Sequence, residues 1–247
     1  MRVALDVPAV SHDAALHARM LITLAAAYVR QNQFDKADEL YQEAIAQQRG
    51  TSDPEALGIA HLGHGIVLAQ QDRLDDAVAE LSRARVDLES VGDGLGVAGV
   101  DVNLGDFELM RHRPAAALPI FGSALRQFDQ LGAREGLAYA LTRTALAQLE
   151  LLDVSAALAT TQRFWPPEAH TSNQRLRWTL TQMRARALLA VGRLDEADTL
   201  ISRIRAESDP RKDATARAQA DALAARIAML RGDAASTAGF AAAALLP

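Results

Sequence analysis

The sequence predicts an all-α fold, an α-solenoid of about six antiparallel helical hairpins, and three observations predict it. Alanine recurs at one fixed interval: Ala37, Ala77, Ala117, Ala157 and Ala197 stand forty residues apart. A period between about 20 and 50 residues is the mark of an array of like units. The composition points the same way. Hydrophobic residues make up 49% of the chain but aromatics only 4%, with alanine and leucine dominant, which favours close-packed helices over sheets. Finally, the apolar residues on either side of each fixed alanine keep helical spacing, broken by a short polar stretch.

In the first unit, Leu21, Leu24, Ala25 and Tyr28 fall on one helical face at i, i+3, i+4 and i+7. A polar break follows at residues 30–33, and Phe34, Ala37, Tyr41, Ala44 and Ile45 form a second apolar face. The small residue at the fixed position lets the two helices approach closely. The second unit repeats this with Gly65, Leu74, Ala77, Leu81 and Ala84, and the third with Leu104, Gly105, Ala117, Phe121 and Ala124. Ala145, Val154 and Ala157 carry it through the fourth, and Ala185, Leu188, Leu194, Ala197 and Ile201 through the fifth. In the sixth, Gly232 matches Gly192, while Thr237 holds the fixed position. The units are expected near 11–57, 58–97, 98–137, 138–177, 178–217 and 218–247, as one repeat domain over 1–247.

The joints echo the same interval. Gly92 aligns with Gly132 and Gly96 with Gly136, and a glycine just past a helix end closes it in the left-handed conformation. Ser52-Asp53-Pro54 and Ser208-Asp209-Pro210 each read as an N-cap followed by proline at the first helical position. The second of these comes four residues early in its unit, so the fifth unit's second helix should be about one turn shorter. In the fourth unit Phe164-Trp165-Pro166-Pro167 must stop the second helix. Trp165 and Trp178 are then expected to cover the space the shortened helix leaves, although a loop through residues 168–172 could also carry function.

Several classes of function have no support. Net charge is −5, which argues against nonspecific nucleic-acid binding through neutralised phosphates. The absence of cysteine removes disulfides, thiolate nucleophiles and Cys-ligated zinc and fits a cytoplasmic location. The opening residues lack the apolar core of a signal peptide. The longest uncharged apolar stretch, residues 234–247, is too short to span a bilayer. Gly94, Gly96 and Gly99 spell G-x-G-x-x-G, but the preceding segment reads as helix rather than the strand a dinucleotide site needs. His61 and His64 stand at i, i+3 without a suitably spaced third ligand, and read as a half-buried structural pair. No nucleophile–base constellation appears, so no enzyme, metal or cofactor is expected.

The unit resembles the tetratricopeptide repeat. That pattern has a small residue in the first helix, an aromatic three later, and an alanine twelve after the small residue. Ala25, Gly65, Gly105, Ala145 and Ala185 stand twelve before the fixed alanines. Tyr28 supplies the aromatic, where later units place Leu68, Glu108, Gln148 and Leu188. Forty-residue units are similar to the variant in regulatory domains of bacterial transcription activators and in adaptor proteins. The resemblance implies a right-handed superhelix whose first helices line a concave groove. The groove-facing column would read Ala26, Ile66, Asp106, Leu146, Arg186 and Arg226, and a second column Thr23, Gly63, Asn103, Arg143, Met183 and Leu223.

The amino-terminal half of that groove would be aliphatic, with Ile22 and Ile66, and the carboxy-terminal half cationic, with Arg143, Arg186 and Arg226. Gln182 lies nearby, and Asn103 and Asp106 fall between the halves. Such a surface suits a protein or peptide with an acidic segment; the other reading has the arginines solvated or paired with Asp106 and Glu150. The family's clamp for a carboxy-terminal carboxylate would need a Lys or Arg near Ile22 and an Asn near Ala26, and neither is present. The resulting expectation is a non-catalytic interaction domain cut from a larger bacterial signalling or transcription-regulator protein. The alternative is a sensor of a small metabolite or signalling peptide. The alanine-rich carboxy-terminal helix could also pair with a second copy.

Overall fold

The computed structural model describes residues 14–48, 53–209 and 211–245. Among these residues there are twelve α-helices, one short 3-10 turn and no strand. The chain divides into two compact units, residues 1–131 and 132–247.

The first unit holds α1 (Ala14–Arg30), α2 (Phe34–Gln48), α3 (Pro54–Gln70), α4 (Leu74–Ser90), α5 (Gly94–Met110) and α6 (Pro114–Gln130). Each helix packs on the next, and the first helices of the hairpins also meet, α1 on α3 and α3 on α5. The second unit holds α7 (Arg134–Glu150), α8 (Val154–Gln162), the 3-10 turn Pro167–Ala169, α9 (Gln174–Ala190), α10 (Leu194–Glu207), α11 (Ala214–Leu230) and α12 (Ala234–Ala244). Here too each helix packs on the next, and the first helices form a layer, α7 on α9 and α9 on α11.

The forty-residue interval becomes geometry at the hairpin turns. Asn32, Asp72, His112, Leu152, Gly192 and Gly232 all have positive φ, between 56° and 77°. The residue after each returns its N–H to the carbonyl of residue 28, 68, 108, 148, 188 or 228, at 2.8–3.0 Å. This 6→1 bond is the Schellman closure of a helix end. Helix starts are periodic as well. Asp53, Asp93 and Asn173 cap first helices through the backbone N–H of Ala56, Gly96 and Leu176. Gly92 and Gly132 are left-handed, as their place after a helix end requires.

All five fixed alanines are fully buried. In the first unit one apolar cluster gathers Leu21, Ala25, Ala37, Tyr41 and Ile45 with Ala60 and Val67. A second joins Leu68, Ala77, Leu81 and Leu88 to Val100 and Phe107. Gly105 lies so close to the Phe121 ring that a Cβ there would run into it, which is why the small position of that hairpin is glycine. In the second unit Trp178, Ala185, Leu188, Ala197, Ile201 and Ile227 form the core.

α10 has 14 residues where α4 and α6 have 17, the predicted loss of about one turn. Asp53 caps α3 as expected, with Ser52 outside the described residues. The second Ser-Asp-Pro does not begin a helix. α11 starts at Ala214, and the Asp209 carboxylate instead accepts the Arg211 N–H at 2.8 Å, closing a local turn; Pro210 lies outside the described residues. α8 stops after nine residues. Phe164 and Trp178 are the buried rings beyond it, whereas Trp165 is half-buried beneath the Arg184 guanidinium, 4.8 Å from its ring centre. The filling role therefore falls to Phe164, not Trp165. The glycines of the G-x-G-x-x-G pattern open α5 directly after α4, with no strand before them.

Candidate functional site

On α9, Arg175, Thr179, Gln182 and Arg186 follow at i, i+4, i+7 and i+11 and form one stripe. On α11 the residues forty positions later, Thr215, Gln219, Ala222 and Arg226, form the matching stripe. Since α9 packs on α11, the stripes run side by side on the first-helix face of the second unit. Between their early turns lies a cavity of about 350 Å³, lined by Arg175, Trp178, Thr179 and Gln182 from α9 and by Lys212, Thr215 and Gln219. Gln182 is buried, and its amide N–H donates to the Ala216 carbonyl at 3.3 Å. Trp178 is fixed by its indole N–H, which donates to Glu207 at 3.2 Å. This gives the cavity a rigid aromatic wall.

The far end of the stripes is cationic. Arg186 and Arg226 are both exposed. Partial desolvation of Arg186 lowers its guanidinium pKa, the like charge of Arg226 lowers it further, and Glu150 at the end of α7 opposes both. Among the described residues no carboxylate oxygen lies within 4 Å of Arg175, Arg186, Lys212 or Arg226, whereas Arg193, Arg203, Arg205, Arg217 and Arg231 of the same unit are all ion-paired. Exposed pairs add little to stability, about 0–1 kcal/mol. Glu150 already offsets the like charge of Arg226 on Arg186, and what the two guanidinium groups still offer an incoming anion is direct contact that no carboxylate among the described residues makes.

The remaining residues singled out in the sequence are scattered. Arg143 is half-buried on α7. In the first unit Ile66 is half-buried on α3, and Asn103 spends its amide on the Gly99 carbonyl at 2.8 Å. Asp106 is half-buried on α5. Ile22 is only 9% exposed and belongs to the core cluster of α1, α2 and α3; one helical step turns it inward, so it offers no surface to a partner. Arg175, Lys212 and Gln219 were not anticipated. The forty-residue interval could have found Arg175 and Thr215, both at the position of Glu55, Leu95 and Glu135.

A second polar cluster lies in the first unit, buried at its centre. His61 and His64 on α3 are buried, as is Glu80 on α4. His64 Nε2 meets Asp38 of α2 at 2.7 Å, and its Nδ1 lies 3.5 Å from Glu80. His61 Nδ1 bonds Glu80, and its Nε2 stands 3.9 Å from Asp87. Arg83 closes on the other Glu80 oxygen. Burial alone would lower the His64 pKa, but the bonds to Glu80 and Asp38 outweigh it and raise it. Glu80 is likewise held far below the usual carboxylate range by the two rings, against its burial. Both rings share Glu80, and each also faces a second carboxylate, Asp38 for His64 and Asp87 for His61; among the described residues no group of three or more such side chains is placed to hold a metal. The cluster ties α2, α3 and α4 together.

No family model matches the sequence, and no curated protein is similar to it in sequence. Solved structures do match in fold. The type IV pilus biogenesis factor PilW superposes with a TM-score of 0.68 at 20% identity, over 91% of this chain and 90% of that one. PilF of Pseudomonas aeruginosa gives 0.66 at 16% identity, over 92% and 90%. A signal-transduction ATPase with a tetratricopeptide repeat sensor, from Pyrococcus horikoshii, gives 0.75 at 14% identity, over 94% of this chain and 36% of that one. The fold is thus all-α and tetratricopeptide-like, as the repeat pattern implied.

Proposed function

We propose that this chain is a non-catalytic scaffold whose second unit binds a protein or peptide through acidic groups. The observation that carries this reading is the pair Arg186 and Arg226, exposed, mutually repelling and without a carboxylate in contact distance among the described residues. At the other end of the same stripes, the cavity beside Trp178 supplies the apolar and amide contacts that a bound segment needs. We place the scaffold in the cytoplasm, as the interaction region of a larger bacterial signalling or transcription-regulating protein. The forty-residue unit resembles the variant in such activators, and the fold is shared with the sensor region of a signal-transduction ATPase. The carboxy-terminal helix is proposed to mediate pairing with a second copy.

The test is fluorescence anisotropy with a labelled glutamate-rich peptide. Wild type should bind, more weakly as salt rises, and Arg186→Glu with Arg226→Glu should weaken binding by about tenfold or more. Equal binding by the double variant overturns the reading. The second reading, a sensor of small metabolites, draws on the cavity itself, whose volume of about 350 Å³ suits a small ligand. In the same assay, displacement of the peptide by free small carboxylates at concentrations that bulk ionic strength does not explain supports it; the absence of displacement removes it.

A further inference from the structure

We infer that the first-helix face of the second unit reads two acidic groups set about five residues apart on an extended peptide. This rests on the acidic-partner reading above and adds a spacing to it. Cations stand at both ends of the paired stripes: Arg175 with Lys212 beside the cavity, and Arg186 with Arg226 at the far end. Asp213 lines the cavity and accepts the Asp209 N–H at 3.0 Å, and Glu207, which holds the Trp178 indole, is ion-paired with Arg203; at the far end Glu150 is felt by Arg186. At each end the cations outnumber the carboxylates that are not already ion-paired, so an acidic group meets net positive charge there. A single polyanionic contact would need the cations gathered at one point; here they are split.

The separation follows from helix geometry. Arg175 and Arg186 are eleven residues apart on one face of α9, which at 1.5 Å per residue is about 16 Å. An extended chain advances about 3.3 Å per residue, so about five residues cover that span. The middle of the face suits such a backbone. The exposed Gln219 amide can both donate to a peptide carbonyl and accept from a peptide N–H, while the Thr179 hydroxyl, whose hydrogen goes to the Arg175 carbonyl, can accept one. Trp178 supplies the apolar contact beside the first cationic end.

Selection of a displayed random dodecapeptide library on the full chain tests this. Enriched sequences should carry two Asp or Glu residues about five positions apart. A synthetic peptide of that spacing should lose about tenfold in affinity when its acids are moved closer together or further apart. Arg175→Gln should remove the preference for one acid and Arg186→Gln for the other; these residues are exposed, and circular dichroism confirms that each variant is folded. Enrichment of acidic peptides with no preferred spacing overturns the inference and leaves the acidic-partner reading standing. Enrichment without acidic residues overturns both.

Discussion

Leu152 is the residue where local chemistry and repeat geometry conflict most openly. It occupies the left-handed position of its hairpin turn, with φ of 60°, where the two later hairpins place glycine at 77°. For an L-residue that conformation costs about 1–2 kcal/mol, and Leu152 recovers little of it by packing, being 84% exposed. Leu152→Gly should therefore stabilise the protein. The net gain is about 0.5–1 kcal/mol after the larger unfolded-state entropy of glycine is subtracted, and a rise of about 2–4 °C per kcal/mol in the thermal midpoint reports it. An unchanged or lower midpoint would show that something else holds the turn. The sequence shows glycine at only two of the six turn positions, so the shared conformation there was not legible. Asn32, Asp72 and His112 belong to the non-glycine types that enter this region most readily, whereas Leu152 adopts it only because the 6→1 carbonyl bond repeats.

At the scale of elements, the buried histidines tie hairpins together and make their stability depend on pH. Groups from three helices face His64: Asp38 on α2, His61 beside it on α3, and Glu80 on α4, with Arg73 near Asp38 and Arg83 on Glu80. Because the folded pKa of His64 is raised, its contribution is fully present below the unfolded value of about 6.5 and is lost as pH rises through the folded value. Glu80 behaves oppositely. Its folded pKa is depressed, so its contribution is present above the usual carboxylate range and disappears only in strong acid. Urea midpoints should accordingly fall between about pH 6 and pH 8.5 in the wild type, while His64→Gln, less stable at the lower pH, should show a flatter profile. Equal pH dependence in the two proteins would show that the tie is not His64. From sequence these histidines read as a half-buried structural pair. Their carboxylates were not predicted, because Asp38 and Glu80 lie on other helices and nothing in the local spacing points to them. Helix existence, by contrast, was plain, since every hairpin carries its own apolar periodicity. The second Ser-Asp-Pro misled because an Asx-type turn uses the same residues as a helix cap.

At the scale of the whole chain, a repeat array exposes apolar surface wherever a unit lacks a neighbour. Among the described elements α12 packs mainly on α11, with its Phe240 ring under the Arg205 guanidinium of α10, and none of its residues is fully buried. Met229 and Leu230 at the end of α11 are 60% and 51% exposed. With Gly232, Ala234, Ala238 and Ala241, Met229 borders a shallow apolar cavity of about 370 Å³. A helix so rich in alanine allows close approach of another helix, and a second copy presents the same surface, so a two-fold contact would be self-complementary. Multi-angle light scattering should show the mass rising from one chain towards two as concentration increases. Met229→Glu with Ala238→Glu should hold it at one chain, because an unpaired carboxylate would be desolvated on each side of the contact. Both positions are exposed, so the substitutions leave the core of the second unit intact. A wild-type mass that stays at one chain across the range, or a variant that still doubles, would separate this face from self-association. The acidic-peptide test can then be run on the monomeric variant, since the stripes on α9 and α11 bearing Arg175, Arg186 and Arg226 use other residues of the unit.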